Sequence, residues 1–285
     1  MGVQVITDGQ VHLWQEPTTE RPWPPGRSTP HRPGGFSVEQ LLIEMDAAGV
    51  DRAVIVPPSW IGEDNSDGLR AAAAHPTRFA VMGRLDPSNP AVGQVMRDWL
   101  NTPGMLGVRL TFNTPQFVAW LDDGSLEEFW TQAEFLGMPV MMAAPRLAAK
   151  LAPVAERHPG VPLIMDHLAL PRVVAAPLTR ADFDDLLALA RFPNVHAKAS
   201  CMPAYSVQRY PHRDLHGHLQ RVFDAFGPQR VFWGSDLTRL PGSYRQCVTL
   251  FTEALRFLTV EDREWVMGRA LSEVLHWPDP LPLPA

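Results

Sequence analysis

Two polar side chains two positions apart, Gln10 and His12, follow the apolar run Val3-Gln4-Val5-Ile6-Thr7 within Asp8-Gly9-Gln10-Val11-His12-Leu13-Trp14. On a strand, side chains two apart point the same way, so this amide and imidazole converge on one ligand. Later in the chain, Met165-Asp166-His167-Leu168 and Gly234-Ser235-Asp236 close two further apolar runs in the same manner. Ionisable groups gathered at one place make a reaction site; each taken singly is equally a salt bridge or a solvated loop residue. What decides between these is whether the elements carrying them end at a common rim.

The elements repeat with a steady rhythm. Ser37 caps a helix through Leu41, Leu42, Met45 and Ala48 that Gly49 ends, with Glu39 and Gln40 near its positive end. Arg52-Ala-Val-Ile-Val-Pro57 then reads as a nearly all-apolar strand, the kind found in sheets covered on both faces. Helices at 67–74, 91–100, 126–136, 147–157, 182–191 and 212–226 alternate with strands at 79–84, 106–112, 139–144, 162–167, 195–200 and 230–236. Helices at 244–257 and 261–275 close the chain. Eight strand-then-helix units with no linker between them predict an α/β fold, a single-domain (β/α)8 TIM barrel over 1–285. A doubly wound open sheet is the alternative, but no Gly-rich phosphate fingerprint follows any strand. Residues 14–36, rich in Pro, Arg, Thr and Gly, follow the first strand and read as a lid loop, with Trp14 and Trp23 either walling a pocket or packing onto the barrel.

In such a barrel the C-terminal strand ends form one mouth. Read off in order they present Gln10 and His12, Arg84, Arg109, Asp166 and His167, Lys198 and Ser200, and Asp236; the fifth strand offers only Met141, Met142, Ala143 and Ala144. The formal charge of −6 carries no basic stripe, which argues against a nucleic-acid surface. Cys201 and Cys247 fit neither a zinc pattern nor a disulfide framework. No run is long enough to span a membrane and no secretory signal opens the chain, so a cytoplasmic protein is expected.

The Asp8…His12 segment, Met165-Asp166-His167-Leu168 and Gly234-Ser235-Asp236, in this order across the chain, resemble the amidohydrolase superfamily, most closely its amidohydrolase-2 branch of lactonases, decarboxylases and related hydrolases of small carboxylated compounds. The resemblance implies a metal position at Gln10, His12, His167 and Asp236. Here the first His of the strand-one pair is Gln10, and the His or modified Lys of an intermediate strand has no counterpart among Met141–Ala144. An amide is a poor zinc ligand beside imidazole. The expectation therefore leans to a metal-free site, with one divalent ion, zinc or manganese, on His12, His167 and Asp236 as the alternative. In the metal-free form Asp236 acts as general base on water, while His12, His167 and Gln10 polarise the substrate carbonyl.

Arg84 or Arg109 would grip a substrate carboxylate through a forked pair. Arg109 reads equally as an interior ion pair, with Asp236 as a candidate partner. Lys198 reads as a carboxylate anchor or a solvated strand end. His31 in the lid and Tyr205 after strand seven are further substrate contacts. His212, His216 and His218 share one helix but read as surface, and Tyr244 and Arg245 as structural. The expected activity is hydrolysis of a small, carboxylated lactone, ester or amide. A zinc hydrolase, a non-oxidative decarboxylase and a barrel that only binds ligand are the alternatives. The expected partner is a small-molecule substrate, with no nucleic acid and no membrane. Barrels of this type often pair, so a homodimer is also expected.

Overall fold

The computed structural model describes residues 5–25, 29–171 and 176–277. Eight strands, β1 (Thr7–Val11), β2 (Arg52–Ile55), β3 (Phe79–Gly83), β4 (Met105–Thr111), β5 (Val140–Ala143), β6 (Leu163–Met165), β7 (Val195–Ser200) and β8 (Val231–Gly234), lie in sequence order. Each pairs with the next in parallel. The seam between β8 and β1 is drawn together by Asp236 N–H donating to the Gln10 carbonyl at 2.8 Å and by the Asp8 carboxylate accepting Ser235 N–H at 2.8 Å. Glycines make that seam close: a Cβ at Gly9 would stand 2.8 Å from the Trp233 carbonyl oxygen. The (β/α)8 barrel predicted from the alternation is the observed fold.

The helices follow the expected order: α1 (Val38–Ala48), α2 (Ser66–Ala74), α3 (Val92–Leu100), α4 (Pro115–Ala119), α5 (Glu127–Phe135), α6 (Ala152–Arg157), α7 (Ala181–Ala188), α8 (Arg213–Phe226), α9 (Tyr244–Thr249), α10 (Val260–Glu264) and α11 (Ala270–Val274). At α1 the signals read from sequence are all present: Ser37 and Gln40 form a reciprocal capping box, and Gly49 ends the helix in the left-handed region. The two C-terminal helices depart from the expectation. Each widens into a π turn, at Leu250–Ala254 and at Trp265–Arg269. At the second, Gly268 lies so close to β1 that a Cβ would stand 2.7 Å from the Val5 carbonyl oxygen. The short α4, in the connection after β4, was not anticipated.

Val54, Val56, Met82, Met141, Ile164 and Phe232 fill the barrel and pack onto Trp265, Leu271 and Leu275, so the last helices plug its floor. The mouth is thereby left as the open end. In the loop over 14–36, whose residues 26–28 lie outside the described ones, Trp14 and Phe36 exchange backbone hydrogen bonds of 3.3 and 2.8 Å and close the base. Trp14 is fully buried against Phe36 and Trp60, so of its two readings packing is the observed one. Among the described residues no helix is long and apolar enough to cross a membrane.

Candidate active site

The register of β1 against β2 shifts between Asp8 and Val11, and this bulge changes which side chains face inward. Before it, Thr7 points to interior Arg52, while Asp8 points outward and accepts from Tyr244 Oη at 2.6 Å. After it, Gln10 and His12 face the interior together. The Gln10 amide is oriented by Lys198, whose Nζ donates to Oε1 at 2.6 Å; that leaves the amide nitrogen facing His12 Nε2 at 3.4 Å. His12 Nδ1 donates to the Val56 carbonyl at 2.6 Å, which fixes the ring and turns Nε2 toward the carboxylate of Asp236.

Asp236 is the centre of the arrangement. Its Oδ1 lies 3.1 Å from His12 Nε2; Oδ2 lies 3.2 Å from Arg239 Nη1 and 3.7 Å from His167 Nε2. Burial would raise this carboxyl, but His12, His167 and Arg239 outweigh it and hold it well below the usual carboxylate range. The group is therefore ionised at neutral pH. Burial brings the His167 ring down to about 4 against the pull of Asp236, so the ring is neutral there. Ser200 Oγ lies 2.8 Å from His167 Nδ1 while accepting the His167 backbone N–H at 3.3 Å. With the hydroxyl proton given to Nδ1, the ring carries its own proton on Nε2 (an assignment from the bonding pattern), where it faces the cavity as a donor. His167, Cys201 and Asp236 leave β6, β7 and β8 with φ of 55°, 61° and 51°, a left-handed backbone that non-glycine residues adopt at a cost of about 1–2 kcal/mol each.

The cavity at the mouth is lined by Gln10, His12, His31, Trp60, Arg109, Asp166, His167, Tyr205, Asp236 and Arg239, among others. Of the residues expected there, Gln10, His12, His167, Asp236, Arg109, His31 and Tyr205 are thus brought together. His31 is held by Thr238, with Nδ1 and Oγ1 2.8 Å apart, and sits 5.4 Å from the His12 ring. Two of the expected residues, Lys198 and Arg84, do not line the cavity. Lys198 is not a solvated strand end: it is fully buried below the cavity, 2.7 Å from Asp166 Oδ1. Arg84 lies outside this cavity and lines a neighbouring one, its Nη2 donating to Thr111 Oγ1 at 2.8 Å.

Arg109 forms the interior ion pair foreseen as one of its readings, with Asp166 (2.9 and 3.0 Å) in place of Asp236. Burial alone would raise the Asp166 carboxyl, yet Lys198 and Arg109 keep it below the ordinary range. Arg239 and Trp60 were missed. Arg239 stands three residues past Asp236, beyond the strand end, and one more turn of reading would have found it. Trp60 follows β2 and carried no signal. His212 and His216 bond to the Gln208 and Pro211 carbonyls and His218 stacks on Phe183, as surface or structural groups do.

His12, His31 and Asp236 offer three donor atoms within 4.8 Å of one another. This trio contains His31, from the loop after β1, where the sequence reading had His167. Asp236 Oδ1 is buried and makes no aligned hydrogen bond, and its 3.1 Å from His12 Nε2 is near the ~3.3 Å between two ligands of tetrahedral zinc with bonds of ~2.0–2.1 Å. The donor set fits a divalent ion.

The family model for amidohydrolases matches residues 7–270. The chain belongs to the amidohydrolase family. Over 244 residues this amidohydrolase is 28% identical to the L-fucono-1,5-lactonase of Burkholderia ambifaria, covering 83% of the chain and 82% of that relative. It is likewise 28% identical to the 4-sulfomuconolactone hydrolase of Rhizobium radiobacter, over 80% of the chain and 74% of the relative. Its fold superposes on an amidohydrolase from Burkholderia multivorans with bound zinc, at a TM-score of 0.81 and 22% identity, covering 96% of the chain and all of that structure. Family and relatives together make this amidohydrolase a lactonase-like hydrolase.

Proposed function

We propose that this amidohydrolase hydrolyses a small carboxylated lactone by attack of water on the acyl carbon, with Asp236 as general base. The observation that carries the reading is the buried, ionised Asp236 carboxylate, with Oδ1 turned to His12 and Oδ2 to His167 and Arg239 at the rim of one cavity. Water held by Oδ1 gives up a proton to it as its oxygen bonds to the acyl carbon. His167 Nε2–H and the Gln10 amide donate to the carbonyl oxygen as charge gathers there. Collapse of the tetrahedral species breaks the ring C–O bond, and Asp236 returns its proton to the leaving oxygen, giving an open hydroxy acid. Arg239 lines the same cavity as a cation: burial opposes its charge, but Asp236 holds it above its ordinary range. It is assigned the substrate carboxylate. The relatives named for lactones support this substrate class.

The second reading is the same hydrolysis with a divalent ion on His12, His31 and Asp236, favoured by their mutual approach. Bound there, the ion would supply Lewis-acid polarisation of the carbonyl and a more acidic water. A pH-stat assay over carboxylated and plain lactones tests both. Turnover is expected for a carboxylated lactone, and Asp236→Asn is expected to lose about 10²–10⁴-fold in kcat. Failure of every lactone, or an active Asp236→Asn, would sink the proposal. Activity that survives dialysis against chelator supports the metal-free form; activity lost and restored by zinc or manganese supports the second reading.

A further inference from the structure

Beside the catalytic cavity lies a second chamber, and Arg109 and Thr111 line both. The first holds about 60 Å³ and the second about 260 Å³. On a scale where one water takes about 10–15 Å³, the catalytic cavity accommodates roughly four to six waters, the space of one small ring. Its neighbour is more than four times larger. A substrate confined to the catalytic cavity would leave that adjoining space unused.

The walls of the second chamber are mixed: Leu85, Leu110, Phe112, Phe117 and Trp120 give it an apolar side, set against polar and charged groups. Three of them, Phe112, Phe117 and Trp120, come from the connection between Thr111 and Glu127, which is far longer than the two to six residues usual for such links. Thr114 Oγ1 caps α4 by accepting the Phe117 N–H at 3.2 Å, and Pro115 starts its first turn. The i, i+3 spacing then sets Phe117 and Trp120 side by side, ring centres 4.8 Å apart and planes tilted by 35°. The charges nearby disfavour a second anion. Arg109 is tied to Asp166, Arg84 Nη2 bonds Thr111, and the acids Glu63 and Asp86 line the same space. A flat, uncharged group would meet the two rings instead.

We propose that this chamber receives an aromatic substituent carried on the lactone, so that the substrate is an aryl-bearing carboxylated lactone and not a compact one. The inference rests on the lactonase reading given above. Its test compares paraconate, a carboxylated γ-lactone, with γ-phenylparaconate, which adds one phenyl group to the same ring. The phenyl compound is expected to have the higher kcat/KM by about tenfold, through KM. Trp120→Ala is expected to cut that ratio about tenfold. Gln116→Trp, which fills the chamber from an exposed position without removing packing, is expected to do the same. Equal or lower kcat/KM for the phenyl compound would overturn the inference while leaving the lactonase reading intact, provided paraconate is hydrolysed and Asp236→Asn is inactive. If neither lactone is turned over, calorimetry with the ring-opened phenyl diacid decides. Binding that Trp120→Ala weakens about fivefold or more supports the chamber's role; no binding, or binding indifferent to Trp120, overturns it.

Discussion

Arg52 at the floor of the barrel and Lys198 beneath its mouth are both fully buried cations, yet their surroundings differ in kind. The Arg52 guanidinium donates to the neutral hydroxyls of Thr7 and Ser272 and lies 4.5 Å from the Trp277 ring centre. Ser272 in turn donates to the Gly268 carbonyl at 2.7 Å, tying the cluster to the C-terminal helices that plug the barrel. Lys198 instead holds a carboxylate, Asp166, and an amide, Gln10, and through Gln10 reaches His12. The floor cluster ties packed elements to one another; the mouth cluster aims side chains into a cavity. The strained backbone at His167, Cys201 and Asp236 belongs to the mouth as well. Buried polarity thus serves stability at one end and preorganisation at the other.

The sharpest way to break this comparison is at Asp236. Asp236→Asn keeps the shape of the side chain, so kcat should fall about 10²–10⁴-fold while the thermal midpoint moves by only about a few degrees. A loss of stability matching the loss of activity would mean that the mouth is structural too. Lys198→Met should register on both scales. Asp166 would keep Arg109 alone and the Gln10 amide would lose its orientation, so urea unfolding should show a loss of about 3–5 kcal/mol. The kcat per folded molecule should also drop, by about tenfold.

Arg52→Met tests the other end. Removing two charge-assisted hydrogen bonds should destabilise the fold by about 3 kcal/mol in urea titrations. Here kcat/KM per folded molecule should stay within about twofold, and a larger fall would erase the distinction between the ends. The smallest effect concerns protons. His196, near the floor, stacks on Phe232 at 5.2 Å, and burial, with Arg230 nearby, brings its ring down to about 4. The unfolded chain takes a proton there near 6.5, so stability is full above that pH and declines as the pH falls toward 4. The loss should be about 2 kcal/mol by pH 5. Unfolding midpoints at pH 7 and pH 5 should show His196→Leu losing about that much less than the parent.

Periodicity was enough to read the barrel, because each strand and each crossover helix is set by a few adjacent residues. The convergence of His12, His167 and Asp236 followed from it, since parallel strands put their C-terminal ends at one rim. What stayed hidden depended on phase and partner. The bulge in β1 decides that Gln10 and not Asp8 faces inward, and it shows only in the register against β2. Arg109 looked free to meet Asp236 but meets Asp166, because its place on β4 points it across the barrel toward β6. Lys198 read as a carboxylate anchor or a solvated strand end, and sequence could not show the buried carboxylate beside it that makes its burial tolerable.

The amino-acid order alone determined eight strands and their crossovers, the capped first helix, and which polar residues terminate strands, for these rest on contacts within a turn or two of chain. The tertiary structure decided the rest: the Lys198–Gln10–His12 chain, spanning 188 residues at its longest link, the arrival of His31 from the loop after β1, the place of Arg239 beside Asp236, and the chamber next door. Those pairings depend on distances between segments that no local pattern encodes, and they come into being only when the cylinder closes.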